Sequence, residues 1–162
     1  MQIGVKVKIS GIGVGGNIYP RRLSRKVIAI VSGPGTQPIV TGNAFVAYDK
    51  NDFFTGTIHL GKMNQGIYLV KLYSDSSLQQ LAKPEFQLLL ANRVNPIPPV
   101  TLYQGDLNQD NVLSIADYNI ALACFQQKVC QTADMIDFND DGITDITDYN
   151  ILLRSFAQSR GN

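Results

Sequence analysis

The chain contains no tryptophan, one histidine (His59), one glutamate (Glu85) and only two cysteines, Cys124 and Cys130. A Ser/His/Asp or Cys/His mechanism would have to run through His59, and no nucleophile motif surrounds that residue. An enzyme is therefore not expected. No stretch approaches the ~20 apolar residues that a membrane-spanning helix needs, so no membrane insertion is expected of this chain. The first 30 residues read as strand and Gly-rich turn without the apolar core of a signal peptide, so an exported protein would carry its address or anchor outside this sequence. Basic residues interleaved with aromatics are also lacking, which argues against a nucleic-acid partner. Charged residues make up only 17% and hydrophobic ones 44%, a globular rather than a disordered composition.

What is present divides in two. Residues 1–104 hold 11 Lys+Arg and 4 Asp+Glu, a balance of +7. Residues 105–162 hold 3 Lys+Arg and 9 Asp with no Glu, a balance of −6, and the sums return the overall +1. Such asymmetry marks two modules. Acid supplied only as Asp suggests short oxygen ligands in loops rather than charged helix faces.

The first module, residues 1–94, alternates apolar and polar residues in short runs. Strands are expected at 5–9, 26–31, 44–48, 55–60, 67–73 and 86–90, separated by breaks that carry Gly, Pro, Asn or Asp. An all-β antiparallel sandwich follows. Residues 44–74 read strand, Asp49-Lys50-Asn51-Asp52 turn, Phe-x-Gly-x-Ile strand, then Asn64-Gln65-Gly66-Ile67-Tyr68 into another strand. That pattern resembles the small prealbumin-like or Cna-B-like sandwiches of surface proteins. The Gly-rich run 11–16 lacks the Lys-Ser/Thr of a phosphate loop and reads as a turn. Arg21, Arg22, Arg25 and Lys26 form a basic cluster whose expected role is a solvated loop, the alternative being that it faces an acidic partner, the acidic module included. Asn95-Pro96-Ile97-Pro98-Pro99 opens a Pro-rich linker over 95–104, expected as a semi-rigid spacer.

The second module, residues 105–162, carries an internal repeat. Residues 105–125 align with 136–156 at an offset of 31, with 10 of 21 positions identical. Each copy is D-x-N-x-D-[N/G]-h-x-[S/D]-h-x-D, the oxygen-ligand spacing of a calcium loop. Calcium takes six to eight hard oxygens at about 2.3–2.6 Å, and a 12-residue loop can wrap them around one point. In the first loop the expected ligands are Asp106, Asn108, Asp110, the Val112 carbonyl, Ser114 through water and Asp117. In the second they are Asp137, Asn139, Asp141, the Ile143 carbonyl, Asp145 and Asp148. Two Ca²⁺ ions are expected, taking the module's formal charge from −6 to −2. Loop position six needs a positive φ, which Gly142 supplies freely and Asn111 tolerably. Four carboxylates against three predict tighter binding by the second loop.

Helices are expected after the loops, at 114–125 and 145–156, with Tyr118, Ala121, Leu122 and Phe125 recurring as Tyr149, Leu152, Leu153 and Phe156. The prolines before the first loop exclude an incoming helix, so the unit is loop-then-helix, not helix–loop–helix.

These duplicated segments resemble a dockerin, the small calcium-dependent module that plugs into cohesin domains of surface or cellulosome-type assemblies. A sandwich followed by such a module is similar to the X-module–dockerin arrangement. The resemblance implies a multidomain chain: an N-terminal β-sandwich plus a small all-α C-terminal module with two F-hand calcium loops. It also implies a cohesin-like partner and an extracellular or cell-surface location. Partner contact would fall on Ile115, Ala116, Leu122 and Ala123 in the first copy. In the second copy it would fall on Ile146, Thr147, Leu153 and Arg154. Most of these positions are apolar, which leaves two readings: a hydrophobic partner interface, or burial against the other helix or the sandwich.

Cys124 and Cys130 would lie about 9 Å apart on a continuous helix, beyond the ~7 Å reach of a disulfide. If the helix ends near Phe125 the chain can turn back and close the bond, as expected in an oxidising compartment, with a reduced buried pair as the alternative.

The expected function is non-catalytic, calcium-dependent assembly or adhesion. A self-contained stalk, its acidic module docked on its own sandwich, is the alternative. A third reading is carbohydrate binding on a platform of Tyr48, Phe53, Phe54, Tyr68 and Tyr73.

Overall fold

A computed structural model describes residues 1–35, 37–125, 133–157 and 161. Among the described residues eight strands form a single sheet: β1 (Gln2–Ile9), β2 (Ser24–Ser32), β3 (Pro38–Tyr48), β4 (Phe54–His59), β5 (Gly66–Ser74), β6 (Gln80–Leu89), β7 (Val94–Pro96) and β8 (Val100–Leu102). Three helices follow among the described residues: α1 (Ile115–Phe125), α2 (Ala133–Ile136) and α3 (Ile146–Ser155).

Strict alternation builds the sheet. Along β1, Ile3, Val5, Val7 and Ile9 are buried while the residues between them are half-exposed. The strand order is β6-β5-β2-β3-β4-β1-β7, with β8 also on β1. Only Ala47 and Tyr48 of β3 register with β4, whereas β3 pairs with β2 along its length. The sheet curls there, and strands from both flanks bury one core that includes Val7, Phe54 and Ile58 with Val27, Ala29, Val70 and Leu72. The architecture is a mostly β, sandwich- or barrel-like sheet with few helices.

The six expected strands are present, five of them longer than expected and β4 shifted by one residue at the same length. β7, β8 and α2 were not expected. The Pro-rich segment is extended, as proline dictates, but it is docked instead of free. β7 and β8 pair in parallel with β1, and Ile97 N–H donates to Gly4 O at 2.8 Å. Asn95, 4% exposed, latches it: Oδ1 accepts from Leu90 N–H at 2.8 Å and Nδ2 donates to Gln2 O at 3.0 Å. Prolines fit here because these strands are short and lie at the sheet margin, where missing N–H groups leave no ladder bond unmade.

A second, smaller core forms beyond the sheet from Leu107, Ala121, Cys124, Ile136, Phe138, Ile151 and Leu152. Tyr118, Phe125 and Phe156 pack against it. The ring centroids of Tyr118 and Phe125 lie 6.3 and 5.8 Å from that of Tyr149, both edge-on. Most of the helical stripe read from the repeat therefore closes α1 on α3, with Leu153 left exposed.

Candidate functional site: two repeated acidic loops

Each loop is organised by its first and last aspartate. In the first, Asp106 Oδ1 accepts from Asp110 N–H at 3.1 Å and Oδ2 from Asn111 N–H at 3.0 Å. Asp117, fully buried, accepts at Oδ1 from Leu107 and Asn108 N–H (2.8 and 3.2 Å) and at Oδ2 from Ser114 N–H (2.9 Å). In the second loop the same bonds recur 31 residues on. Asp137 accepts from Asp141 and Gly142 N–H at 3.1 and 2.9 Å. Asp148, also fully buried, accepts from Phe138, Asn139 and Asp145 N–H at 2.7, 3.1 and 2.9 Å. Asp110 and Asp141 each accept the N–H two residues on, from Val112 and Ile143, at 2.8 Å.

Local chemistry explains why the chain closes here. Asp117 and Asp148 stand at the third helical position, and their Oδ2 atoms receive the N–H of Ser114 and Asp145, the residues that cap α1 and α3. Ser114 Oγ and Asp145 Oδ1 complete the caps by accepting from Ala116 and Thr147 N–H at 3.2 and 2.7 Å. One aspartate thus ties the loop entrance to the helix start. Position six is left-handed in both copies, Asn111 at φ 64° and Gly142 at φ 91°. Position four is left-handed too, Gln109 at 59° and Asp140 at 58°, which the residue types did not announce.

Burial holds the Asp106, Asp137 and Asp148 carboxyls above the ordinary carboxylate range, with neighbouring aspartate charges adding to it. Backbone N–H bonds oppose that rise. Of the seven acids expected as ligands, none forms an ion pair with Lys or Arg among the described residues. No three acidic, His or Cys side chains converge at metal-ligand spacing among those residues. The donors are all hard oxygens gathered on two short loops, a set that suits calcium and not zinc or copper.

The helix-start isoleucines face solvent alike: Ile115 is 68% and Ile146 67% exposed. Ala116, Ala123, Thr147, Leu153 and Arg154 are exposed, and Leu122 is half-buried. Burial of Ile115 and Leu122 against the sandwich would have supported the stalk reading, and Ile115 is not so buried. Tyr118, Leu122, Phe125, Ile146 and Tyr149 line a groove between α1 and α3. Cys124 is buried and not a free thiol, whereas Cys130 lies outside the described residues.

The basic cluster departs from its expected role. Arg22 Nε donates to Asp140 Oδ1 at 2.6 Å, Arg22 N–H donates to Oδ2 at 2.7 Å, and Arg25 Nη2 lies 3.1 Å from Oδ2. Asp140 lies within the second loop but is not among its expected ligands. The two modules are therefore in contact, and the charge asymmetry of the sequence closes on itself. A cleft of about 640 Å³ lies beside this contact, lined on one side by Gly15, Gly16 and Asn17 and on the other by Thr147, Asn150 and Arg154.

The aromatic platform is not assembled. Phe54 is fully buried with its ring 5.1 Å from that of Tyr48, and Tyr48 and Tyr68 pack against the core. His59 is exposed, 3.2 Å from Gln2 Nε2.

No family model matches the chain, and no curated protein matches it. Solved structures do. The chain is similar to a chain of a type II cohesin–X-dockerin complex from Acetivibrio cellulolyticus, an N-terminal interface mutant, at 15% identity and a TM-score of 0.59, covering 96% of this chain and 94% of that one. A C-terminal interface mutant of the same complex matches at 16% identity and a TM-score of 0.55, with 94% of each chain covered. At such identities the likeness is one of fold.

Proposed function

We propose that this chain is a non-catalytic assembly module of the X-module–dockerin kind. Its two acidic loops each hold a calcium ion, and the face carrying Ile115 and Ile146 docks on a cohesin-like partner outside the cell or on its surface. The observation that carries the reading is the repeat of one hydrogen-bond frame at an offset of 31, ending each time in a capped helix with an exposed isoleucine. The fold likeness supports it because it spans both parts of the chain. Asp106, Asn108, Asp110, Val112 O, Ser114 and Asp117 would hold one ion, and Asp137, Asn139, Asp141, Ile143 O, Asp145 and Asp148 the other. Calcium supplies positive charge to carboxylates that burial otherwise disfavours. The contact surface is apolar where Ile115, Leu122, Ile146 and Leu153 lie, which suits a partner with an apolar face.

The test is calcium-dependent capture of a cohesin domain by the immobilised full chain, in millimolar calcium and in EDTA. The reading predicts retention in calcium alone, and its loss on Ile115→Asp with Ile146→Asp in a chain that keeps its melting temperature. Equal retention in EDTA, or by the double variant, contradicts it. The stalk reading draws on the Arg22/Arg25–Asp140 contact. It predicts no partner for the folded, calcium-loaded chain.

A further inference from the structure

The two acidic loops are near-copies in sequence and hydrogen bonding, yet the sandwich treats them differently. Three consecutive carbonyls of the second loop are held from outside it. Gln104 Nε2 donates to Phe138 O at 2.6 Å, Asn17 Nδ2 to Asn139 O at 2.9 Å, and Arg21 N–H to Asp140 O at 2.9 Å. The Asp140 side chain, 2% exposed, accepts two hydrogen bonds from Arg22 and lies 3.1 Å from Arg25 Nη2 as an ion pair. At the matching place in the first loop stands Gln109, which is exposed. The carbonyls of Leu107, Asn108 and Gln109 receive no such bonds among the described residues. The first loop is held instead by neutral bonds at other places: Asn111 Oδ1 accepts from Gln79 N–H at 2.7 Å, and Ser76 O accepts from Gly105 N–H at 2.7 Å.

We infer that the sandwich pre-sets the second loop for its ion: Arg22 and Arg25, through Asp140, fix the backbone between the ligands Asn139 and Asp141, so affinity at that loop alone depends on these arginines. The inference rests on the calcium reading above. Preorganisation is the physical route, because a loop already held in place loses less conformational freedom when its ion binds. By linkage, calcium at the second loop strengthens the contact between the modules by the same factor.

Electrostatics supplies a clean discriminator. Arg22 and Arg25 are positive charges beside a cation site, so their removal should by Coulomb's law alone raise calcium affinity. Preorganisation predicts the opposite sign. The experiment titrates calcium into the metal-free, ¹⁵N-labelled full chain and follows the amide signals of Gly142 and Asn111, which donate to Asp137 and Asp106. In the Arg22→Gln, Arg25→Gln double variant the Gly142 midpoint should move to at least ~5-fold higher calcium, the lower end of ordinary coupling energies. The Asn111 midpoint should stay in place and reports that the fold is intact.

A Gly142 midpoint that is unchanged or lower while both loops still respond overturns the inference and leaves the calcium reading standing. Absence of any response in the unsubstituted chain overturns both. If the double variant loses both responses, Arg22→Gln alone, at a side chain 41% exposed, should shift Gly142 in the same direction by less. No shift in that single variant counts against the inference.

Discussion

The two loop-and-helix copies share 10 of 21 residues and one hydrogen-bond frame, but two of the positions that the ligand pattern leaves free are where their ties to the sandwich diverge. Position four is Gln109 in one and Asp140 in the other, and position six is Asn111 in one and Gly142 in the other. In each loop one of these residues reaches the sandwich. Asn111 does so by accepting from Gln79 N–H, a neutral bond, and Asp140 by ion pairs from its buried carboxylate to two arginines. Ligand positions set what each loop can hold, and the positions between them set how the loop is carried.

The largest expected effect comes from breaking what the copies share. Asp148→Ala removes a fully buried carboxylate that accepts three backbone N–H bonds, one of them at a helix cap. The orphaned donors should cost about 3 kcal/mol or more, read as a lower urea midpoint in EDTA. Asp117→Ala should match it within about 1 kcal/mol if the frames are equivalent. Phe138→Ala comes next. This ring is fully buried in the smaller core, and its loss should cost about 3–5 kcal/mol while leaving the sandwich transition in place if the cores unfold separately.

The pH dependence separates the metal-free from the loaded chain. Asp106, Asp137 and Asp148 bind their protons more tightly in the metal-free fold than in the unfolded chain. Their contribution to metal-free stability is present at acidic pH and lost as pH rises through the raised values. Calcium needs the ionised forms, so its stabilisation grows over the same range. Melting temperatures with calcium and with EDTA should therefore draw apart as pH rises from 4 toward 7. A constant gap would count against these carboxylates as ligands. The smallest effect is expected for Asn111→Gly: relief of a left-handed non-glycine residue opposes loss of the bond to Gln79 N–H, leaving a net change within about 1 kcal/mol.

Local chemistry was legible in the sequence. Alternation placed six strands, the 31-residue repeat located both loops, and the Tyr118/Tyr149 stripe identified the helix faces that meet. Long-range pairing was not legible. Arg22 and Asp140 stand 118 residues apart, and nothing in either neighbourhood says that one completes the other. Net charges of +7 and −6 allowed such a contact without selecting its residues. Prolines at 96, 98 and 99 indicated extended backbone, but an extended segment can be a spacer or a strand. The free edge of β1 and the Asn95 side chain decide that here.

The most direct test of the central claim is calorimetric titration of calcium into the metal-free full chain. The account predicts two ions per chain with unequal constants, the tighter one lost on Asp137→Asn and the weaker on Asp106→Asn. Uptake of no calcium, or uptake that survives both substitutions together, would contradict it.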